Sequence, residues 1–549
     1  MEAPRLITDI LIEQNYITPE DAQAAVAYKQ SGAGSATDYL MREGLINRST
    51  LGSALAEYYG TTYSDLDARS PSDGDLARIP EETARTFRAV FVGEKGDDVR
   101  IATDHVDADG LAEALAKLFP KKNVRVTFSF PEQIDTQLAH YQKKLNTRFA
   151  EIVKHEHKVA PELFDEIIRD ALTYRASDIH FEPNKETTRI RFRIDGMLQL
   201  AGTIPQQYYE SVLNRMKIQA NLRMDEHFAP QDGAIRFENG SSTVDLRLSI
   251  VPTLSGEKAV IRVLTEYVQG LTFSSLGMSD AHIALLTTAS HKPFGMILTV
   301  GPTGSGKTTA LYALLRTLTN PETNIMTIED PVEYRMEEAN QIQVNTKTGL
   351  TFAKGLRAIV RQDPNVILLG EIRDTETAET AVNAALTGHL LLSTFHSNDA
   401  ATSIPRLIDM GTEPFLLAST LELVMAQRLA RRICETCRES YTVTVKELLP
   451  TFPQAADYFT EAEITLYRGA GCANCNNTGY RGRIMIIEMI PMTSELKTLI
   501  ERSPSAADVA DLAYKQHNPS LFDDGIQKAQ QGITTIEEIL RVASPRAHT

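Results

Sequence analysis

The chain has 549 residues, 42% hydrophobic and 23% charged, an ordinary globular composition that is long enough for roughly three or four domains. Its 72 acidic residues outnumber its 56 basic ones, and the formal charge of −16 argues against a general nucleic-acid binder. The first residues lack a signal-peptide pattern, and the apolar runs have only the length of strands. We therefore predict a cytoplasmic protein that reaches a membrane only by peripheral docking.

The first 60 residues contain a weak internal repeat with helical periodicity. Segment 9–18 resembles segment 38–47, and an Ala-rich amphipathic stretch follows each copy. Two copies indicate a pair of helical hairpins and not a solenoid. Short strand-like runs between 89 and 127 surround a further helical stretch. Together these elements predict a small α+β module at residues 1–142.

A polar and charged segment at 143–158 is predicted to be a linker. After it, apolar residues alternate with polar or basic ones at 188–196 and 243–250, as on half-buried strands. A helical stretch at 208–222 separates these segments. The pattern predicts a second α+β domain at 159–270.

Beyond that domain, continuous apolar runs bounded by Gly or Pro alternate with helical periods. This pattern is typical of a parallel sheet that helices cover on both faces. The predicted fold class is therefore α/β for residues 271–549, with a parallel sheet, preceded by two smaller α+β domains.

A glycine-rich loop lies between a strand-like run and a helical stretch. Its glycines let successive backbone N–H groups face the phosphates of a nucleotide. Lys307 is expected to reach the β- and γ-phosphates, and Thr308 to ligate Mg²⁺. The flanking strand and helix make a chance glycine-rich turn the weaker interpretation, so we predict an ATP site. Its residues are Gly301, Pro302, Thr303, Gly304, Ser305, Gly306, Lys307 and Thr308, followed by Thr309.

Acidic residues follow two other strand-like runs. Glu371 stands in the Walker B position, where Gly370 replaces the usual Asp, and is expected to act on Mg²⁺ through water. Glu329, Asp330 and Glu333 follow the other run, where a carboxylate can orient the attacking water. Either cluster alone is more often a solvated loop, but the phosphate loop before them favours a role in hydrolysis.

Arginines and one histidine form a third group. Arg357 and Arg361 are four residues apart and would share one helix face, whereas Arg373 directly follows the Walker B segment. Arginine suits the spread charge of a transferring phosphoryl group, with ordinary surface ion pairs as the alternative. Arg406 lies further along the chain. His396 follows another strand-like run, where it would either be structural or sense the γ-phosphate.

All four cysteines of the chain stand in two C-x-x-C pairs. Four thiolates in two such pairs suit tetrahedral Zn²⁺ and predict a structural site, although the 34 residues between the pairs exceed the usual spacing. Buried free thiols are the alternative. The cysteines are Cys434, Cys437, Cys472 and Cys475, in a predicted zinc module at about 430–480.

In this order, the motifs resemble those of the secretion ATPases of type II secretion and type IV pilus assembly. The resemblance covers nearly the whole chain and includes segments 176–182, 191–196 and 230–233. It implies a homo-hexameric ring on the cytoplasmic face of the inner membrane, with a PAS-like domain at 159–270 and a RecA-like domain at 271–549. The implied cofactors are ATP, Mg²⁺ and Zn²⁺, and the implied partner is an inner-membrane platform protein.

The resemblance also implies roles for individual residues. Glu333 would be the catalytic glutamate, Glu371 the Walker B acid and His396 the histidine-box residue. Arg191 and Arg193 would reach the phosphates from the 159–270 domain. Four further arginines would act as charge partners of the nucleotide: Arg357, Arg361, Arg373 and Arg406.

Within the family, the N-terminal module and the cysteine pairs favour an assembly or export ATPase over a retraction ATPase. Segments 394–401 and 409–411 look more like pilus assembly ATPases, with type II secretion ATPases as the alternative. A DNA-translocating motor is a second alternative, against which the acidic charge and the cysteine pairs argue. A nucleotide-gated scaffold with little turnover is a third, against which Lys307, Glu333 and Glu371 argue.

The repeat in residues 1–60 resembles the N-terminal domain that binds cyclic di-GMP in some members. Here Ile7 stands where that motif has Gly, Asn15 replaces another Gly, and the second Arg-Leu start is absent at 36–37. Because Gly permits close backbone approach, these departures argue against cyclic di-GMP binding. The alternative is a module that docks on the membrane platform or its adaptor.

Overall fold

The computed structural model describes residues 7–14, 16–30, 36–68, 71–139, 160–239, 242–264, 272–333, 335–461 and 463–545. The predicted linker at 143–158 and Asn15 lie outside the described residues. The chain divides into two compact units: Tyr141–Gly270 forms one, and Met1–His140 together with Leu271–Thr549 forms the other. Within the described ranges, we find no helix with the length and hydropathy of a membrane span.

The N-terminal module consists of helices followed by a small sheet. Its elements are α1 (Ile7–Glu13), α2 (Pro19–Gln30), α3 (Ala36–Arg42), α4 (Arg48–Tyr58), α5 (Asp73–Leu76), α6 (Glu81–Thr86), β1 (Ala89–Lys95), β2 (Asp98–Thr103), α7 (Leu111–Leu118), β3 (Asn123–Phe128) and α8 (Pro131–Ala139). Each copy of the repeat forms one helix that a second helix follows, and the four helices bury Leu11, Ala25 and Leu40 completely. Strand β2 pairs antiparallel with β1 and parallel with β3.

The unit Tyr141–Gly270 contains a six-stranded antiparallel sheet with two helices. Its elements are α9 (Ala160–Thr173), β4 (Asp178–Pro183), β5 (Thr187–Ile194), β6 (Met197–Pro205), α10 (Gln206–Gln219), β7 (Gln231–Asn239), β8 (Ser242–Thr253) and β9 (Gly256–Leu264). The strand order is β6-β5-β4-β9-β8-β7. Successive residues of a strand face opposite sides of the sheet. Phe181 of β4 and Phe192 of β5 face the core and are fully buried, in agreement with the alternation of apolar and polar residues in the sequence.

The described residues from 272 onward, here called the C-terminal domain, are built on a seven-stranded sheet. Its first elements are α11 (Phe273–Leu276), α12 (Asp280–Ser290), β10 (Gly295–Val300), α13 (Lys307–Leu318), β11 (Ile325–Glu329), β12 (Ala339–Gln343), α14 (Phe352–Ile359), β13 (Val366–Ile372), α15 (Thr375–Leu386) and β14 (Leu390–Phe395). The later elements are α16 (Ala400–Asp409), α17 (Pro414–Thr420), β15 (Leu421–Ile433), β16 (Arg438–Thr444), α18 (Val445–Leu448), α19 (Ala455–Tyr458), β17 (Glu463–Gly469), β18 (Tyr480–Pro491), α20 (Ser494–Ile500), α21 (Ala506–Lys515), α22 (Leu521–Gln530) and α23 (Ile536–Val542).

The strand order of this sheet is β12-β11-β13-β14-β10-β15-β18, and only β18 pairs antiparallel to its neighbour among the described strands. Every residue of β10 is buried, with Leu298 in the hydrophobic cluster of one face and Ile297 in that of the other. The continuous apolar runs thus reflect helices on both faces. The predicted α/β fold class, with two smaller α+β regions before the domain that contains the parallel strands, is confirmed.

The carboxyl ends of the central strands lie side by side. Val300 of β10 and Ile372 of β13 both pair with Phe395 of β14. The loops that follow these strands therefore meet at one edge of the sheet, where ligands bind in open α/β sheets.

Contacts between the N-terminal module and the C-terminal domain occur among the described residues. The Tyr28 hydroxyl lies 3.2 Å from the Ser274 hydroxyl oxygen. Helix α8 lies against the short 3-10 turn Ala473–Cys475. These contacts explain why the two segments belong to one compact unit, although the sequence presents them as separate domains.

Candidate active site

The glycine-rich loop joins β10 to α13 and leaves the first turn of that helix uncapped. Gly304 and Gly306 have left-handed φ values of 78° and 88°, and Gly306, the N-cap residue of α13, has no side chain that could cap the helix. A β-carbon on Gly301 would lie 2.6 Å from the Gln427 carbonyl oxygen, so only glycine fits there. The backbone N–H groups of this first turn, which includes Thr308 and Thr309, are therefore free of side-chain capping and suit a phosphate.

Lys307 bends back over this loop. Its ammonium group donates hydrogen bonds to the carbonyl oxygens of Gly301, at 2.8 Å, and Pro302, at 3.1 Å. Burial lowers the pKa of Lys307 to about 8, the Glu371 carboxylate opposes this shift, and Arg428 adds to it. Lys307 is therefore largely charged at neutral pH and close to both of these side chains.

Glu371 lies at the centre of the charged side chains at the sheet edge. Its carboxylate oxygens lie 2.5 Å from the Arg373 guanidinium and 3.3 Å from Nε2 of His396. Only 14% of its side chain is exposed. The structure thus brings three of the predicted site residues together, next to Lys307.

The structure also explains the glycine before Glu371. A β-carbon on Gly370 would lie 3.1 Å from the Ile328 carbonyl oxygen and 3.2 Å from the Phe352 ring. An Asp there would press against this packed layer. Successive residues of a strand face opposite sides, so the acid of β13 that points toward the phosphate loop is Glu371.

The acids after β11 occupy different environments. Glu329 is buried, and Thr327, Tyr312 and Gln341 donate hydrogen bonds to its carboxylate at 2.6, 2.7 and 3.4 Å. Burial raises the pKa of Glu329 despite these bonds. These hydrogen bonds tie the Glu329 carboxylate to side chains of β11, α13 and β12.

Asp330 and Glu333 differ from Glu329 in being less buried. Asp330 lies 3.9 Å from the Arg373 guanidinium, and Glu333 is partly buried. The chain therefore turns Asp330 toward the Glu371 cluster while Glu329 stays inside the fold.

The predicted arginines fall into three groups. Arg406 donates a hydrogen bond of 2.6 Å to the His396 carbonyl oxygen, so it joins the Glu371 cluster. Arg357 pairs with Glu376 at 2.8 Å, and Arg361 bonds the Arg357 carbonyl oxygen at 2.7 Å. The remaining two lie on β5 of the other compact unit, where they form ion pairs with acids of β4: Arg191 with Glu182 at 2.5 Å and Arg193 with Asp178 at 3.2 Å.

Two residues of the site were not among those that the sequence predicted. Gln427 of β15 is fully buried and donates a 2.8 Å hydrogen bond to the Ser305 carbonyl oxygen in the phosphate loop. Arg428 donates a 2.9 Å hydrogen bond to the Asn398 carbonyl oxygen, and burial lowers its pKa. The available signal was segment 427–429, which is among the motifs that resemble those of the secretion ATPases, although no role in the site was predicted for its residues.

The four cysteine thiols lie in one cluster. Their sulfur atoms are all within 4.8 Å of one another, and three of the pairs are 3.8 Å apart. A tetrahedral zinc ion with Zn–S bonds of about 2.3 Å requires sulfur atoms roughly 3.8 Å apart. Backbone N–H groups of Gly471 and Gly479 also point at the sulfur atoms of Cys437 and Cys475, each at 3.3 Å. The arrangement fits a zinc ion.

A strand pair explains the long spacing between the cysteine pairs. Strands β16 and β17 run antiparallel, with Arg438 opposite Gly469, and the Ala470 N–H donates to the Cys437 carbonyl oxygen at 2.9 Å. The residues between Cys437 and Cys472 therefore form a hairpin whose two ends lie together at the cysteine cluster. The long sequence spacing between the two C-x-x-C pairs thus does not keep their thiols apart in space.

Comparison with known proteins identifies the family. The family model for type II/IV secretion system proteins matches residues 153–541, and the MshEN domain model matches residues 59–147. The second match lies mostly C-terminal to the repeat in residues 1–60, on which the resemblance to a cyclic di-GMP domain rested.

Relatives of known function match most of the chain, and two of them match more than nine-tenths of it. The type IV pilus assembly ATPase PilB of Myxococcus xanthus is 35% identical over 98% of this chain and 98% of its own length. PilB of Thermus thermophilus is 37% identical over 93% of this chain, which spans 59% of that longer relative. The type II secretion system protein E of Pseudomonas aeruginosa is 44% identical over 69% of this chain and 74% of its own length.

A solved structure shares the fold. The ATPase DotB of Legionella pneumophila has a TM-score of 0.52 at 20% identity, over 71% of this chain and 97% of its own. The phosphate loop, the clustered acids and these matches agree. The chain therefore belongs to the type II/IV secretion system protein family of ATPases.

Proposed function

We propose that this chain is the cytoplasmic motor of type IV pilus assembly, a homo-hexamer that converts ATP hydrolysis into domain motion at the inner membrane. The observation that carries the proposal is the meeting of Glu371, Arg373 and His396 beside the phosphate loop. The match to a pilus assembly ATPase over 98% of both chains supports this assignment. The platform protein of the pilus machine is the proposed membrane partner.

In this proposal, the uncapped first turn of α13 and the Lys307 ammonium hold the phosphates of ATP. Thr308 would hold Mg²⁺, which would neutralise phosphate charge when bound. Glu333 would polarise the attacking water, and Glu371 would act as the acid of the magnesium site. His396 and Arg373, both in contact with Glu371, respond to the γ-phosphate.

The other proposed nucleotide contacts come from arginines, the phosphate loop and the acids after β11. Arg191 and Arg193 would act from the 159–270 domain, exchanging their carboxylate partners for phosphate oxygens. The remaining proposed contacts are Arg357, Arg361, Arg373, Arg406, Glu329 and Asp330. Among these acids, the hydrogen bonds of Glu329 favour a supporting role for it.

We also propose that the four cysteines hold one structural Zn²⁺. A closed set of four thiolates leaves no open position for catalysis, so the ion would stabilise the module. The geometric fit of three 3.8 Å sulfur pairs supports this proposal.

Cyclic di-GMP regulation through the N-terminal module is a separate proposal that the MshEN match favours and the departures at Ile7 and Asn15 oppose.

Type II secretion is the alternative function, because a type II secretion protein E is 44% identical over 69% of this chain. Deleting the gene in its source organism separates the two. The deletion is expected to abolish surface pili and to leave the export of secreted proteins normal. The wild-type gene is expected to restore the pili, and the Lys307→Ala gene is not. Lost export with normal piliation would establish the alternative.

Hydrolysis by the purified chain tests the motor itself. Mg²⁺-dependent phosphate release is expected in the wild type, and Lys307→Ala is expected to be inactive. DNA is expected to leave the rate unchanged, because a chain with formal charge −16 repels a polyanion. Strong stimulation by DNA would instead favour a translocase, and a wild type no more active than Lys307→Ala would refute the motor.

The pKa of Lys307 predicts a pH dependence of ATP binding. The ammonium form binds phosphates, and the pKa of about 8 means that free Lys307 loses its proton as the pH rises above about 8. The bound phosphates raise this pKa, so binding takes up a proton and affinity falls by up to about tenfold per pH unit above 8. Dissociation constants measured between about pH 7 and 9.5 test this expectation.

Lys307→Arg is the matched control, because arginine stays charged over this range. Its affinity is expected to be lower at every pH but to lack the decline above about pH 8. A wild-type affinity that is constant up to about pH 9.5 would contradict the assignment of Lys307 to the phosphates.

A further inference from the structure

The segment 396–399, here called the His396 loop, joins β14 to α16 and is held by side chains from three elements. Arg406 of α16 bonds the His396 carbonyl oxygen at 2.6 Å. Arg428 of β15 bonds the Asn398 carbonyl oxygen at 2.9 Å. Glu488 of β18 accepts a 3.2 Å hydrogen bond from the Ala400 N–H, where the loop enters the helix. The position of His396 against Glu371 thus depends on these contacts.

We propose that Glu488 is a positioning residue for ATP hydrolysis, which keeps His396 against Glu371 by anchoring the start of α16. The inference rests on the proposed function, because it concerns how the hydrolytic site is assembled. The hydrogen bond of Glu488 goes to the Ala400 N–H and not to the phosphate loop. Glu488 would therefore act through the backbone of the His396 loop.

The carboxyl group of Glu488 lies in a strand whose other residues are mainly apolar, so apolar packing does not explain its presence. Its strand neighbours Ile486, Ile487, Met489 and Ile490 are buried apolar residues. Burial raises the pKa of Glu488 to about 7, the Ala400 N–H opposes this shift, and the carboxylates of Asp399 and Asp523 add to it. A carboxyl group in such a strand is costly unless it is hydrogen-bonded.

Helix capping does not account for Glu488 either. Asp399 already caps α16, because its carboxylate accepts a 2.7 Å hydrogen bond from the Thr402 N–H. The bond from Ala400 to Glu488 is therefore additional to the cap. The Ala400–Glu488 hydrogen bond joins the start of α16 to the edge strand β18. Strands β10 and β15 separate β18 from β14, the strand that precedes His396.

Replacing the carboxyl group tests the role. Glu488→Ala is expected to lower kcat about tenfold and to leave the KM for ATP within about twofold, because Lys307 and the phosphate loop are unchanged. Glu488→Gln is expected to retain at least about half of the wild-type kcat, because its amide oxygen can accept the same N–H.

Glu422→Gln is the matched control. Glu422 is a buried acid near the start of β15, where it pairs with Lys292 and Lys497. This variant is expected to lose thermal stability without a selective loss of kcat. Equal kcat losses in Glu422→Gln and Glu488→Ala, no loss in Glu488→Ala, or no recovery in Glu488→Gln would each overturn the proposal.

A second variant removes the donor and leaves the carboxyl group in place. Ala400→Pro eliminates the N–H at the first helical position, which tolerates proline. If Glu488 acts through this bond, Ala400→Pro lowers kcat as Glu488→Ala does, and the double variant is no slower than either. Independent, multiplying losses would overturn the proposal. A wild type without activity beyond Lys307→Ala would instead refute the proposed function.

Discussion

Glu371→Gln is expected to slow ATP hydrolysis by roughly 100-fold to 10,000-fold while leaving ATP affinity within a few-fold of the wild type. The substitution keeps the size of the side chain but removes the charge that faces Arg373, His396 and Lys307. Nucleotide binding depends chiefly on the phosphate loop and Lys307, which the substitution leaves in place. Steady-state phosphate release and the equilibrium binding of a fluorescent nucleotide measure the two effects separately.

The control for this experiment is Glu439→Gln. Glu439 forms an exposed ion pair with Arg468 on the β16–β17 sheet, so its loss is expected to leave both turnover and binding unchanged. Turnover by Glu371→Gln at the wild-type rate would refute the assignment of Glu371. Loss of binding together with turnover, as expected for Lys307→Ala, would show instead that Glu371 supports the phosphate loop.

Cys472→Ser is expected to remove zinc from the chain and to unfold the module around it. A structural zinc ion contributes on the order of 10 kcal/mol to the folding of isolated zinc fingers. The ion would link the end of β15 to the turn before β18, and these cysteines flank the β16–β17 excursion. Metal analysis, limited proteolysis of residues 434–479 and the thermal unfolding midpoint measure the three consequences.

Thr436→Ser is the comparison variant, because Thr436 lies between two of the cysteines and its hydroxyl accepts a bond from Asn474 that serine can keep. It is expected to retain one zinc ion per chain and wild-type stability. A wild type that contains no zinc when purified without chelators, with a stability that Cys472→Ser does not change, would favour buried free thiols.

The parts of the site that the sequence predicts are those encoded locally. The phosphate loop depends on glycines and a lysine within one turn between a strand and a helix, so its residues can be named without the fold. The acid Glu371 is predictable for the same reason, since it lies near the end of an apolar strand. The conformation of Gly304 and Gly306 then agrees with the role that the sequence assigns to glycine there.

The parts that the sequence does not predict depend on long-range contacts. Gln427 and Glu488 belong to strands that come more than a hundred residues after the phosphate loop. Only the sheet order places Gln427 beside that loop and Glu488 beside the start of α16. The reason for Gly370 is likewise a contact with Ile328 and Phe352, which the local sequence does not reveal. Side chains that support a site through the fold therefore need the structure.

The contacts of Tyr28 and α8 with the C-terminal domain make Tyr141–Gly270 an insertion within a single compact unit. A fragment that begins at residue 271 would therefore not be an intact ATPase core. It would lack the partner of Ser274 and the helix that covers the turn Ala473–Cys475. Removing the N-terminal module would thus expose Ser274 and the turn Ala473–Cys475, whereas removing the unit Tyr141–Gly270 would also remove Arg191 and Arg193, the proposed nucleotide contacts.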